Sequence, residues 1–265
     1  VFNSEDGVLQ LLTDDFAAEL RRFTAVFSQM RTVTQKRLPD PSVYPQLPFI
    51  EPAIAGWEWR TRQYDLEIIQ LTIGGQQLRA LDVGAWNGWL SHRLTMMGHQ
   101  VTAVDYFLDA YDGLAAKKFY PTNWQAIQMD LTDLSVLDTP FDLVILNRCL
   151  QFAPNPLTMV AQAQARLAPG GCLIITGLQL FADARQKAQQ VNAYRQKNRE
   201  EFGFELFLKP TRGYLDWADK AQLAENGVSL RPYPQLWRAN LKARFKKSAP
   251  AHYFGVYQAQ PSQTC

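Results

Sequence analysis

The sequence predicts an α/β fold, built on a doubly wound, mostly parallel sheet with a helical N-terminal cap and a helical insertion after the fifth strand. Three observations carry that reading. Short apolar runs ending on polar residues recur between residues 78 and 147, a glycine-bearing turn joins the first run to a helix start, and Pro169-Gly170-Gly171 leads into a further apolar run.

The first run, Leu78 to Val83, delivers the backbone to the carboxyl edge of a sheet, where Gly84 and Gly88 permit positive φ and close approach of a ligand. A helix opening near Gly88 offers unpaired N–H groups to a carboxylate or phosphate. This is the geometry of a nucleotide-cofactor loop, although a plain tight β-to-α turn looks the same in isolation. The second run, Gln100 to Val104, ends on Asp105, 23 positions beyond Asp82, where a carboxylate can accept two hydrogen bonds from vicinal ribose hydroxyls. The third, Trp124 to Met129, ends at Asp130-Leu131, and the fourth, Phe141 to Leu146, ends at Asn147. In the fifth, Leu167 to Gly177, a helix end, a Pro-Gly-Gly turn and a buried strand follow without a gap. A ligand lying along that edge would meet all the strand-end polar groups.

On Asp82-x-Gly84-x-x-x-Gly88, Asp105, Asp130, Phe141-Asp142-Leu143-Val144 and Pro169-Gly170-Gly171, the chain resembles the class I S-adenosylmethionine-dependent methyltransferases of small-molecule type, over roughly residues 76–177. The pieces Trp57-Glu58-Trp59-Arg60 and Asp112-Gly113-Leu114-Ala115-Ala116 are similar to stretches in members of that type without an assigned activity. The resemblance implies a seven-stranded Rossmann-like methyltransferase fold: a cap over 1–75, an α/β core over 76–180, an insertion or substrate lid over 181–227, and a closing hairpin over 228–265. It implies S-adenosyl-L-methionine as cofactor and S-adenosyl-L-homocysteine as product. Asp82 then helps fix the methionyl amine, Gly84, Ala85, Trp86 and Gly88 face the methionyl part, Asp105 with Tyr106 beside it holds the ribose, and Asp130 with the Leu131 N–H reads adenine. Asn147 reaches the methionyl amine or the acceptor, or satisfies a local turn; Asp130 can equally be a helix cap or turn residue.

One position departs from the family, which carries glycine in the middle of the loop where this chain has Trp86. The indole either forms part of the cofactor wall, with a cation–π attraction to the sulfonium, or packs between the loop and a neighbouring helix. Trp86 and Trp89 also stand where a dinucleotide fingerprint needs glycine, which disfavours nicotinamide or flavin binding.

Methyl transfer from a sulfonium is an in-line displacement, so alignment and desolvation carry most of the catalysis and no nucleophile is required. No catalytic residue is assigned. The only histidines are His92, on the helix after the loop, His99, in the following turn, and His252, and the first two read as packed or solvated rather than as a base. Arg148, Gln151, Tyr106, Lys117 and Tyr120 are candidate rim residues, and Asp142 is structural. Trp57, Trp59, Trp217 and Trp237 either line an apolar acceptor pocket or anchor the core.

Along the chain, residues 5–37 read as one or two amphipathic helices, with Leu12, Phe16, Leu20, Phe23 and Phe27 at helical spacing and Asp14-Asp15 suited to a first turn. Prolines at 39, 41, 45, 48 and 52 impose an extended segment before a helix over 57–73 and a Gly74-Gly75 turn. A polar helix spans 183–202, and a second starts from an Asp216 cap and stops at Asn226-Gly227. Residues 228–233 and 252–259 are the last two strands.

A hydrophobic content of 47% with 20% charged residues excludes a disordered chain, and the apolar runs are too short to span a bilayer. Acids precede any base in the first 20 residues, opposite to a signal peptide, and Cys149, Cys172 and Cys265 lack metal-ligand spacing, so a cytoplasmic location is expected. The expected partner is a small molecule, with oligomeric state open. Arg231, Arg238, Lys242, Arg244, Lys246 and Lys247 occur with no acid between them, which keeps RNA or an anionic lipid surface as alternatives, but nucleic acid is disfavoured because no RNA-binding module accompanies the run. A non-catalytic cofactor-binding scaffold is a further alternative.

Overall fold

Two short strands open the chain where a helix is expected: β1 (Phe2–Glu5) and β2 (Val8–Leu11) pair antiparallel, and helix α1 (Asp14–Val33) begins only after them. The structure is a computed structural model that describes residues 2–5, 7–38, 40–51 and 56–261; Pro39, Pro52 and Cys265 lie outside the described residues. The chain divides into two compact units, residues 1–134 with 141–143, and residues 135–140 with 144–265.

In the first unit, α1 is followed by α2 (Trp57–Ile73), β3 (Arg79–Val83), α3 (Trp89–Met96), β4 (Gln100–Asp105) and β5 (Gln125–Met129). The strands are ordered β1-β2-β5-β4-β3, and β2, β5, β4 and β3 are mutually parallel. The opening residues of β6 (Phe141–Asn147) lie next to β3. Ala80, Leu81, Val83, Ala103 and Val104 are fully buried, as the near-continuous apolar runs of a sheet covered on both faces require. The register sets Val83 opposite Val104 and Asp105 opposite Gln128, so the loop after β3 leaves the sheet beside Asp105. Asp142 is structural: it accepts from the Arg79 backbone N–H at 2.9 Å and from the guanidinium at 2.9 and 3.1 Å.

Thr13 caps α1 by accepting the Phe16 N–H at 3.3 Å. Phe23, Phe27 and Phe107 stack with centroids 5.1–5.9 Å apart, and Phe16 meets Tyr106 edge-on at 5.9 Å. Arg31 binds the buried Asp112 through two nitrogens at 2.7 and 3.2 Å, and Arg37 reaches both Asp112 and Asp109. These contacts tie α1 to the segment that follows β4. The proline-rich stretch forms a short 3-10 helix, Pro41–Gln46, and Arg93 on α3 holds it through the Pro45 and Leu47 carbonyls.

The second unit holds the rest of β6, then α4 (Pro156–Ala165), β7 (Leu167–Phe181), α5 (Arg185–Phe202), β8 (Leu215–Asp216), α6 (Trp217–Glu225), β9 (Ser229–Pro232), α7 (Trp237–Phe245) and β10 (Pro250–Gln258). Its order is β6-β7-β10-β9, with β10 antiparallel to both neighbours and β8 parallel to β7. Asp216 caps α6 in a reciprocal box with Asp219, and Asn226 ends it.

The α/β class is as predicted, but the strand count is not: ten strands are present among the described residues instead of seven. The N-terminal hairpin and the two-residue β8 are the additions. Pro169-Gly170-Gly171 also lies inside β7 and not in a separate turn, because the Gly170 N–H donates to the Gln260 carbonyl and Gly171 accepts from the Ala259 N–H. The closing pair β9 and β10 is antiparallel as expected, with helix α7 between its strands.

Candidate functional site

The site builds outward from the end of β3. Gly84 has φ 72° and Gly88 φ 78°, while Trp86 adopts φ 51°, a left-handed conformation costly for a side chain of that size. The turn holds it there: the Gly84 and Ala85 N–H groups both donate to the Val104 carbonyl, the Trp86 N–H donates to Asp105 Oδ2 at 2.7 Å, and Gly88 N–H closes onto the Ala85 carbonyl. A Cβ at Gly88 would sit 2.4 Å from the Trp124 ring, so glycine is required there by packing as well as by φ. The N–H groups expected to be open at the start of α3 are partly taken, since Asn87 Oδ1 accepts the Trp89 N–H at 3.3 Å.

Two buried carboxylates flank this loop. Asp82 Oδ2 accepts from Ser91 Oγ at 2.7 Å, whereas Asp82 Oδ1 has no partner. Burial, reinforced by the charge of Asp105, pushes its carboxyl up to about 7 against the stabilising bonds from Ser91. Asp105 Oδ1 accepts the Phe107 N–H at 2.9 Å, and burial raises this carboxyl to about 6 in spite of three backbone N–H bonds. Asn87 is fully buried and its Nδ2 also has no partner. An unpaired buried acceptor near the end of β3 and an unpaired buried donor in the loop that follows are thus present, a costly state unless a polar ligand satisfies them.

The neighbouring predicted residues of the first unit fall on the same sheet edge. Tyr106 follows Asp105, and its carbonyl accepts from Gln128 Nε2 at 2.8 Å. Asp130 lies two positions beyond Gln128, and its Oδ1 accepts the Thr132 N–H at 2.9 Å and the Thr132 hydroxyl at 2.7 Å, which makes it a turn former as well as a strand-end acid. Leu131 is buried. Asn147 belongs to the second unit, where its Nδ2 donates to Thr176 Oγ1 at 2.7 Å. Arg148 follows with φ 55° and lies across Gly177, leaving no room for a Cβ there. Gln151 folds back to donate to the Arg148 carbonyl at 2.7 Å.

Trp86 stacks on Trp59 at 5.8 Å, with the guanidinium groups of Arg62 and Arg31 over its ring at 5.2 and 5.7 Å. Of the two readings of this indole, packing against the neighbouring helix describes what it does here. Trp59 is a core residue, while Trp57, Trp217 and Trp237 are each exposed. His92 is buried between the Thr122 hydroxyl and the Pro45 carbonyl, and His99 Nδ1 accepts the Leu78 N–H at 3.2 Å; burial lowers both imidazoles below their ordinary range. Lys117 lies over Trp124, and Tyr120 packs on His92. Sequence reasoning passed over Asn87, in the loop it singled out, and Ser91, on the first turn of α3; two polar residues in an otherwise apolar stretch, Ala85 to Leu90 and its continuation, were the available signal. No cluster of three or more metal-ligating side chains occurs among the described residues.

Comparison with known proteins gives the arrangement its context. The methyltransferase domain family matches residues 81–175. The tRNA 5-carboxymethoxyuridine methyltransferase of Escherichia coli (strain K12) is 31% identical over 113 residues, which cover 41% of this chain and only 43% of that enzyme, so the match spans less than half of that relative's length. The ubiquinone biosynthesis O-methyltransferase of Xanthomonas campestris pv. campestris (strain B100) is 29% identical over 177 residues, 63% of this chain and 71% of the relative. Among solved structures, the plantazolicin methyltransferase BamL, in complex with a triazolic desmethylPZN analog and SAH, superimposes with a TM-score of 0.51 at 15% identity, covering 92% of this chain and 97% of BamL, which is a likeness of fold. With its α/β fold and its glycine loop beside the acid that closes β4, the chain carries over residues 81–175 a match to the methyltransferase domain family, and over that stretch it is similar to the class I S-adenosylmethionine-dependent methyltransferases.

Proposed function

We propose that the first unit binds S-adenosyl-L-methionine and that the protein transfers its methyl group to a small-molecule acceptor, releasing S-adenosyl-L-homocysteine. The observation that carries this reading is the pair of unsatisfied buried groups, Asp82 Oδ1 and Asn87 Nδ2. An amino-acid zwitterion satisfies both at once, its ammonium donating to Asp82 and its carboxylate accepting from Asn87. A cationic ligand also removes the mutual repulsion of Asp82 and Asp105, the interaction that helps raise the Asp82 carboxyl.

When bound, the cofactor supplies a methyl group already activated on a sulfonium. In this reading Gly84, Ala85 and Gly88 let the main chain approach the methionyl part, and Trp86 contributes its backbone while its ring packs on Trp59. Asp105 keeps lone pairs for the ribose hydroxyls while its backbone bonds fix its orientation, and Tyr106 lies beside it. Asp130 and the Leu131 N–H recognise adenine. Residues 1–75 act as a cap. Alignment and exclusion of water carry the transfer. In this reading the protein works in the cytoplasm, where a half-buried thiol such as that of Cys172 stays reduced. No helix among the described residues is long and apolar enough to cross a membrane.

Calorimetric titration of S-adenosyl-L-homocysteine into the wild type, Asp82→Ala and Asn87→Ala tests the reading. Each variant is expected to bind at least about tenfold more weakly, the worth of one charge-assisted hydrogen bond. Equal affinity in all three proteins contradicts it.

A further inference from the structure

Helix α7 presents an unusual outer face. Trp237, Leu241 and Phe245 recur every four residues and are 58%, 45% and 85% exposed, so three large apolar side chains form one stripe along the solvent side. The opposite side is anchored: Ala243 is buried, and the Asn240 side chain donates to the His252 carbonyl at 3.1 Å while accepting the His252 N–H at 2.6 Å. The stripe therefore cannot turn inward without breaking the helix from β10.

Basic residues frame that stripe. Arg238 and Lys242 follow along one flank at helical spacing, Arg244 lies on the other, and Lys246-Lys247 continue past the end; all five are exposed, and the sequence from 231 to 247 contains no acid. Arg238 already lies over the Trp237 ring at 5.2 Å, so indole and cation occupy one patch. Phosphate-tracking alone would need only the bases, and a protein interface core depletes lysine. A helix that puts Trp, Leu and Phe outward within a basic frame matches what an interfacial helix needs: apolar side chains for the acyl boundary and cations for the headgroups.

We propose that α7 is a docking helix for an anionic bilayer surface, with Trp237, Leu241 and Phe245 entering the headgroup–acyl boundary and Arg238, Lys242, Arg244, Lys246 and Lys247 meeting lipid phosphates. This surface uses none of the residues assigned to the cofactor and does not depend on the acceptor. It makes the protein a peripheral, salt-releasable membrane visitor, since a short helix supplies limited apolar area and the charge term is screened.

The test is co-sedimentation of the full chain with vesicles of phosphatidylcholine alone and of phosphatidylcholine with phosphatidylglycerol, at low and high salt. Binding is expected to the anionic vesicles only, to fall by at least about tenfold between 50 and 500 mM salt, and to fall by a similar factor in Trp237→Ser/Phe245→Ser and, separately, in Arg238→Gln/Lys242→Gln/Arg244→Gln. In the wild type the tryptophan emission should shift to the blue on anionic vesicles, and Trp237→Phe should lose most of that shift, which reads insertion without a destabilising change. S-adenosyl-L-homocysteine affinity should stay unchanged in these variants, separating failure of the helix from failure of the cofactor reading. Absence of vesicle binding overturns the proposal, as does binding that survives both sets of substitutions. Sensitivity of RNA binding or self-association, and not of vesicle binding, to the same substitutions would assign the face to RNA or to a second copy and overturn it too.

Discussion

Asp105 Oδ2 accepts the backbone N–H of Trp86 at 2.7 Å, so the acid that ends β4 clamps the loop that leaves β3. The bond explains how a tryptophan tolerates φ 51° in a turn that family members build with glycine. It also couples two halves of the proposed cofactor site. Asp105→Asn replaces one acceptor oxygen by an NH2 group that faces backbone donors, so loop and ribose contacts weaken together. S-adenosyl-L-homocysteine affinity should fall roughly a hundredfold, the value of two hydrogen bonds to a charged group, as read by calorimetry. Unchanged affinity removes the ribose assignment.

The pH dependence of binding follows from Asp82. Its carboxyl is raised to about 7 by burial, and a ligand ammonium requires it ionised, so affinity should climb with pH up to about 7 and level off above, by up to about tenfold per unit on the rising side. For the ligand-free protein the sign is opposite. A folded-state value above the unfolded 3.8 means the folded chain binds the extra proton, so stability falls as pH rises from about 4 to about 7. Asp82→Asn should flatten both trends above about pH 6 and leave below it the contribution of Asp105, whose carboxyl is raised to about 6; urea titrations and ligand titrations at pH 5.5, 6.5 and 7.5 would register this.

Trp86→Gly removes the stack on Trp59 and the two guanidinium contacts, and at the same time relieves a left-handed backbone. The packing loss exceeds the relief, and we expect a net destabilisation of about 1–2 kcal/mol in urea unfolding. Cofactor affinity should change by less than about threefold, because the ring's partners are protein. A drop well beyond tenfold would make the indole part of the cofactor wall.

Much of this arrangement is legible in the chain. Helix α2 spans the predicted 57–73, Asp216 is the cap that its type and position suggest, and Asp105 and Asp130 sit at the ends of neighbouring strands because apolar runs terminate on them. The β1–β2 hairpin was not legible, since each strand has four residues and the parallel partner, β5, lies more than a hundred positions away. Nor does local pattern reveal that Pro169-Gly170-Gly171 is drawn into β7 by bonds to the chain's last described residues. The missed Ser91 takes its meaning from its bond to the buried Asp82 carboxylate, and the missed Asn87 from its own unpartnered buried amide, which only three-dimensional placement exposes.

Asp112 provides a stability prediction independent of any ligand. It is buried and holds Arg31 and Arg37, which together tie α1 to the segment after Asp105. Asp112→Ala leaves the partly buried Arg31 without its acid while Arg37 keeps Asp109, and unfolding should cost about 2–3 kcal/mol less, with an unchanged m value in urea. A loss below about 1 kcal/mol would mean that α1 is held by its aromatic stack alone.

The central claim is that the glycine loop and its two acids accommodate a sulfonium nucleoside and not a dinucleotide. Thermal denaturation of the wild type with S-adenosyl-L-methionine, S-adenosyl-L-homocysteine and the nicotinamide dinucleotides measures this directly, because a ligand that binds only the folded state raises its melting temperature by mass action. The first two should raise the midpoint in a concentration-dependent way while the dinucleotides leave it unmoved. A rise with a dinucleotide, or none with either sulfur-bearing nucleoside, contradicts the account.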